Sequence, residues 1–207
     1  MEDVLDLYAE PYDPRRPQVC FDESPVQLVS ETRSPLPVRP GRIARYDYEY
    51  KREGTANLFL FVQPLLGWRQ VNVTAHRTKQ DFAQQMKLAV DVYFPDAELI
   101  RLVVDNLNTH TPASLYETFA PAEARRITRK LEFHYTPKHG SWLNMAECEF
   151  AVLDTQCLDR RIPNVETLER EIAAWQAKRN QHEIKINWQF GTDLARVKLK
   201  RLYPSLD

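Results

Sequence analysis

Leu99-Ile-Arg-Leu-Val-Val-Asp-Asn-Leu-Asn-Thr-His110 decides how this chain is organised. Leu99–Val104 is a nearly unbroken apolar run, the pattern of a strand buried on both faces, and it stops at Asp105-Asn106, where a strand end opens into a loop. Upstream, Val19-Cys-Phe-Asp-Glu-Ser24 holds a second short apolar strand, Gln18–Phe21, ending at Asp22. Downstream, His139-Gly-Ser-Trp-Leu-Asn-Met-Ala-Glu-Cys-Glu-Phe150 places Glu147 in a segment of helical character, Leu143–Leu158. Carboxylates at two strand ends and on one helix can converge on a point. Hard divalent cations require such oxygen ligands, and magnesium keeps part of its water shell for substrate phosphates.

Neighbouring acids must be told apart. Strand alternation sends Asp22 and Glu23 to opposite faces, which leaves Glu23 as a supporting partner. On the third helix, Leu143, Ala146, Phe150, Ala151, Leu153 and Cys157 are expected to form the apolar face, with Glu147 on its flank and Glu149 turned away to solvent. His110, five residues past Asp105, could orient a ligand or approach a phosphate. Asn106, His139 and Ser141 lie in loops beside the acids, Asn144 could orient Glu147, and Trp142 reads as a core residue.

The rest of the chain supplies a frame. Residues 1–16 are acidic and proline-interrupted and read as a linker, leaving 17–207 as one domain with a helical C-terminal extension. Ser34–Gly41 is a proline-rich loop, and Tyr46, Tyr48 and Tyr50 alternate as in a half-buried strand. Asn57–Leu66 and Trp68–Ala75 form a hairpin. Thr78–Phe94 is a helix with Phe82, Met86, Val90 and Tyr93 on one stripe. One or two short helices occupy Thr111–Arg129, Leu131–Tyr135 is a strand, and Asn164 caps a helix that buries Val165, Leu168, Ile172 and Trp175.

Composition narrows the function. At 207 residues and 43% apolar content the chain suits one substantial core. No apolar run reaches the roughly 18 residues of a membrane span, so a cytoplasmic protein is expected. Cysteines at 20, 148 and 157 form no CxxC pair and read as buried thiols, and with His134 and His139 they match no common zinc spacing. The net charge of −1 hides an uneven distribution: residues 1–31 hold eight acids and two bases, and the remainder holds 26 bases and 21 acids. Basic groups cluster at Arg33, Arg39, Arg42 and Arg45, at Arg125, Arg126, Arg129 and Lys130, and at Arg196, Lys198, Lys200 and Arg201. Clusters of this kind neutralise phosphates without reading bases.

The order of the acids and their surroundings resembles the DDE transposases of the mariner branch, in particular the bacterial insertion-sequence members. FDE at Asp22, VVDN-x-x-x-H from Val103 to His110, and HGSWLN-x-x-E from His139 to Glu147 carry the resemblance, with the tail from Trp175 to Leu202-Tyr203-Pro204. It implies an RNase H-like, retroviral-integrase-like α/β fold with a five-stranded mixed sheet flanked by helices. It further implies Asp22, Asp105 and Glu147 as ligands of two Mg2+ ions, with Mn2+ able to substitute, and cleavage and strand transfer of double-stranded DNA at terminal repeats. The implied assembly is a homodimer on DNA, with a helix-turn-helix recognition region that these 207 residues lack. One departure concerns spacing: residues 106 through 146, 41 in all, separate Asp105 from Glu147. That is longer than the compact interval common in the branch, and Thr111–Arg129 accommodates the surplus. A nuclease of the same fold without strand transfer, or a defective copy acting as a DNA-binding module, would carry the same residues.

Overall fold

The computed structural model describes residues 1–203, so Pro204 of the tail lies outside the described residues. Five strands form one mixed sheet: β1 (Gln18–Glu31), β2 (Tyr50–Gln63), β3 (Trp68–Thr74), β4 (Ile100–Val104) and β5 (Leu131–Tyr135). Their spatial order is β3-β2-β1-β4-β5, with β1–β2–β3 antiparallel and both β1–β4 and β4–β5 parallel. The parallel pairs need crossovers, and helices supply them.

Alternation along the strands divides the core in two. Cys20, Leu58, Leu60, Val62 and Val103 face α1 (Glu2–Ala9), α5 (Met145–Leu153) and α6 (Val165–Gln181). Val19, Phe21, Phe59, Phe61, Leu102 and Val104 face α2 (Lys79–Leu88), α3 (Pro112–Thr118) and α4 (Pro121–Thr128). Thr78 caps α2 in a reciprocal box with Asp81, and Asn164 caps α6 by accepting from the Thr167 amide. A π-helical turn extends α2 to Tyr93 and another extends α5 to Leu158. α7 (Thr192–Lys198) closes on α1 through Arg196–Glu2 and Thr192–Asp6.

Gly67 turns the β2–β3 hairpin at φ +70°, and a Cβ there would meet the Glu183 carbonyl carbon at 2.4 Å. Two α6 side chains reach β3: Gln176 accepts from the Val71 amide, and Asn180 both accepts from the Arg69 amide and donates to the Arg69 carbonyl.

Three expectations are corrected here. Residues 1–16 are not a linker, because α1 buries Val4, Leu5, Leu7 and Tyr8; each fully buried aliphatic side chain contributes about 1.5–3 kcal/mol. β1 does not end at Asp22 but runs on to Glu31, paired with β2. Tyr46 and Tyr48 lie outside the strands, on an exposed excursion between β1 and β2 tied by isolated bridges from Leu36 to Arg45 and Arg39 to Arg42; Tyr50 opens β2 and is itself exposed.

Candidate active site

β1 and β4 pair Gln18 with Arg101, Val19 with Leu102 and Cys20 with Val103, a constant offset of 83 residues. Carried two residues further, that register brings Asp22 level with Asp105. Asp22 continues the alternation of Cys20 onto the face on which α5 packs, and Asp105, the first residue past β4, lies near enough for its charge to act on Asp22 while its carboxylate also touches His110. Glu147 lies in the first turn of α5, partly exposed. Two parallel strands and one helix thus bring the three expected acids to one end of the sheet. Their charges interact: burial pushes Asp22 up to about 7, and Asp105 and Glu147 add to the rise against the Glu23 amide, which donates to Asp22 Oδ1. Among the described residues, no three His, Cys, Asp or Glu side chains close around a point tightly enough to hold an ion as they stand.

Glu23, on the opposite face, meets His110. The fully buried imidazole lies 3.3 Å from Glu23 Oε2 through Nε2 and 2.5 Å from Asp105 Oδ1 through Nδ1. The second approach is a close charge contact without hydrogen-bond alignment, leaving Asp105 Oδ1 with no hydrogen bond. Burial alone would lower the His110 pKa, but Asp105 and Glu23 override it and push it up to about 9. The ring stacks on Phe82 at 4.9 Å and meets Phe21 edge-on, which fixes its plane. Asn144 caps α5, its side-chain oxygen accepting from the Ala146 amide at 3.1 Å while its amide donates to the Phe21 carbonyl at 2.8 Å. Asn106, Ser141 and His139 are exposed around the acids, His139 at φ 63°.

Residues 17–169 match the family described as DDE superfamily endonuclease. The chain belongs to this family. No curated protein matches it in sequence. Among solved structures it resembles the Mos1 mariner paired-end complex with Mn, at 16% identity and a TM-score of 0.56 over 87% of this chain and 55% of that one. The Mos1 strand transfer complex gives 16% and 0.57 over the same shares, and the Mos1 transposase paired-end complex with left transposon end gives 16% and 0.55 over 82% and 52%. The likeness is one of fold, RNase H-like, and the chain spans about half the length of the solved chains it matches.

Around the acids of this DDE endonuclease domain, the largest correction concerns Glu149. It does not face solvent: its side chain is 2% exposed and accepts from Arg179 Nε at 2.8 Å and Nη2 at 3.1 Å, with Arg69 Nε also 2.8 Å away in charge contact. Ala146, Glu149, Phe150 and Leu153 are spaced i, i+3, i+4, i+7, so Glu149 belongs to the buried stripe and only Glu147 leaves it. Arg69 is fully buried, donating to Gly67 O and Ile184 O. Burial lowers its pKa, Glu149 opposes the fall and Arg179 adds to it. A signal for Arg69 exists in the sequence: it alternates with Val71 and Val73, so β3 points it inward, where an acid must meet it.

Trp142 is 44% exposed and packs edge-on against Phe190 rather than in the core. Cys148 is exposed, unlike Cys20 and Cys157. The basic cluster on α4 divides: Arg126 is held by Asp91 and Glu123, and Lys130 donates to Pro95 O, whereas Arg125 and Arg129 are exposed. Its helix buries Ala124 and Ile127 on the face opposite α5. Lys198, Lys200 and Arg201 are exposed where the tail packs beside Leu143.

Proposed function

We propose that this chain is the catalytic domain of a DNA transposase, cutting and rejoining double-stranded DNA at the ends of a mobile element with Asp22, Asp105 and Glu147 as metal ligands. The observation that carries this reading is that the parallel pairing of β1 with β4 ends at Cys20–Val103, just before Asp22 and Asp105, and that the charges of Asp105 and of Glu147 on α5 both act on Asp22.

The residues fit divalent cations. The donors are all carboxylate oxygens, the set magnesium and manganese prefer; Asp105 keeps a buried oxygen without a hydrogen bond, and Asp22 is held protonated toward neutral pH by burial and its neighbours' charge. When bound, two such ions stabilise the attacking and leaving oxygens of an in-line displacement at phosphorus. The protein's own contribution is placement. His110 holds Asp105 from behind and, charged at neutral pH, offsets part of the site's negative charge. Glu23 fixes the other side of the imidazole. Asn106, His139 and Ser141 offer polar contacts to a DNA strand at the rim, and Lys198, Lys200 and Arg201 extend a basic surface from the tail. Arg125 and Arg129, on the other face, serve a second stretch of duplex.

The full assembly under this reading is a homodimer on terminal-repeat DNA, with a helix-turn-helix region supplying sequence recognition, in the cytoplasm. Among the described residues no helix is long and apolar enough to cross a membrane. The test is nicking of supercoiled plasmid in Mg2+ or Mn2+. Asp22→Asn, Asp105→Asn and Glu147→Gln each abolish it, and joined products distinguish a transposase from a nuclease of the same fold. Nicking that survives any of the three substitutions removes that residue from the site.

A further inference from the structure

Asn144 makes more contacts than a helix cap needs. It is fully buried, and beyond the bond from its main-chain N–H to the Ser141 carbonyl at 2.7 Å, three hydrogen bonds reach three places: side-chain Oδ1 to the Ala146 amide, main-chain oxygen to the Glu147 amide at 3.0 Å, and side-chain Nδ2 to the Phe21 carbonyl at 2.8 Å. The first two hold the start of α5. The third leaves the helix and grips β1 one residue before Asp22 and one residue past Cys20, where pairing with β4 has ended. Asp22 and Glu147 are 125 residues apart in sequence, yet one amide side chain connects the backbone beside each.

The geometry points to Asn144 as the positioning residue that sets the separation of Asp22 and Glu147, and through it the affinity of the site for a divalent ion. This rests on the reading of those acids as ligands. The physical ground is the direction of each bond. Capping requires only an acceptor, which Ser, Thr or Asp supplies equally well. Gripping Phe21 O requires a donor on the same side chain, and Asn combines both functions at that length. The bond is buried, so its loss leaves the Phe21 carbonyl without that partner and lets α5 slide against β1. Tyr8 of α1 supports the arrangement from behind, its hydroxyl donating to the Leu143 carbonyl at 2.8 Å. At metal centres, groups that orient a ligand rather than touch the ion change affinity or activity by about ten- to a hundredfold when removed.

The test uses Asn144→Ser, which keeps the capping oxygen and is too short to reach Phe21 O. Binding of Mn2+ alone is followed by the loss of its free-ion electron paramagnetic resonance signal, beside circular dichroism and metal-free melting of the same samples. The expected result is Mn2+ affinity weakened about ten- to a hundredfold while the variant stays folded. A folded Asn144→Ser protein that binds Mn2+ as tightly as wild type overturns the inference. Glu147→Gln run in parallel separates the two levels of argument. If it binds Mn2+ like wild type, the ligand reading itself falls; if it weakens binding and Asn144→Ser does not, only the role of Asn144 falls. Should Asn144→Ser not fold, the wild-type side-chain amide resonance of Asn144 decides. Slow hydrogen exchange with a shift on adding Mg2+ supports the tether, and fast exchange or an unmoved resonance overturns it.

Discussion

Replacing Glu149 by Gln removes the anion that sits between two buried guanidinium groups. Arg69 is fully buried and Arg179 is 9% exposed, and both face Glu149 at 2.8 Å. Gln keeps the shape but not the charge, so two cations remain close together in a low-dielectric interior. Breaking a buried ion pair from one side costs about 3–5 kcal/mol, whereas an exposed polar substitution stays within about 0.5 kcal/mol. For a domain of this size each kcal/mol moves Tm by about 2–4 °C, so Glu149→Gln should lower the metal-free melting temperature by about 6–20 °C. Urea denaturation of the metal-free protein gives the same quantity independently. Adding Arg69→Met should recover part of the loss, since one stranded cation leaves with its counter-ion, and the double-mutant cycle should show coupling of about 0.5–3 kcal/mol. Glu147→Gln, on the partly exposed side of the helix, should leave metal-free melting nearly unchanged. A Glu149→Gln protein that melts within about 2 °C of wild type, with no coupling to Arg69, would refute the buried triad.

Asp22→Asn should raise metal-free Tm at pH 8 and change it little at pH 4, measured by differential scanning calorimetry. A carboxyl raised from 3.8 to about 7 contributes stability that is complete below pH 4 and lost as pH climbs through 7, and Asn does not undergo that loss. Gly67→Ala should destabilise the protein by more than about 1 kcal/mol in chemical denaturation, because φ +70° and the Glu183 backbone both reject a Cβ. Replacing Lys198, Lys200 and Arg201 together with Ala should flatten the salt dependence of duplex DNA binding by up to about three phosphates' worth of counterion release, while Arg126→Ala, already engaged by Asp91 and Glu123, should leave the slope alone. Fluorescence anisotropy over a salt series separates the two.

Elements whose signal is local were legible before any coordinates. Leu99–Val104 had to be a buried strand ending at Asp105, the Asn164 cap announced α6, and Thr111–Arg129, read as one or two short helices, holds two. What failed depended on distant partners. α1 looked like a linker because Glu2, Asp3 and Asp6 mask a short apolar stripe whose burial needs Leu143, Trp188 and α7, all far along the chain. Tyr46 and Tyr48 alternate, but the excursion places nothing over either face. Glu149 was misplaced because the apolar face was centred on Leu143, which precedes the helix, and on Ala151, which is exposed; without them the stripe of Ala146, Phe150 and Leu153 takes in Glu149, and the two arginines that make its burial tolerable come from β3 and α6. The hydrogen bond from Asn144 to Phe21 had no sequence signature beyond the choice of Asn over Ser at a cap.

β3 is an edge strand, and its outward amides at Arg69 and Val71 would otherwise be open to any extended chain. Gln176 and Asn180 stand one helical turn apart on α6, about 6 Å along its axis, and the two amides lie about 6.8 Å apart along β3. That near match lets a helix present side-chain amides in place of a sixth strand, satisfying both N–H groups and the Arg69 carbonyl. The molecule therefore carries its own guard against strand-to-strand aggregation along this border. Removing Gln176 and Asn180 together would leave a folded domain with an adhesive edge, a fault visible on storage at high concentration before it shows in a melting curve.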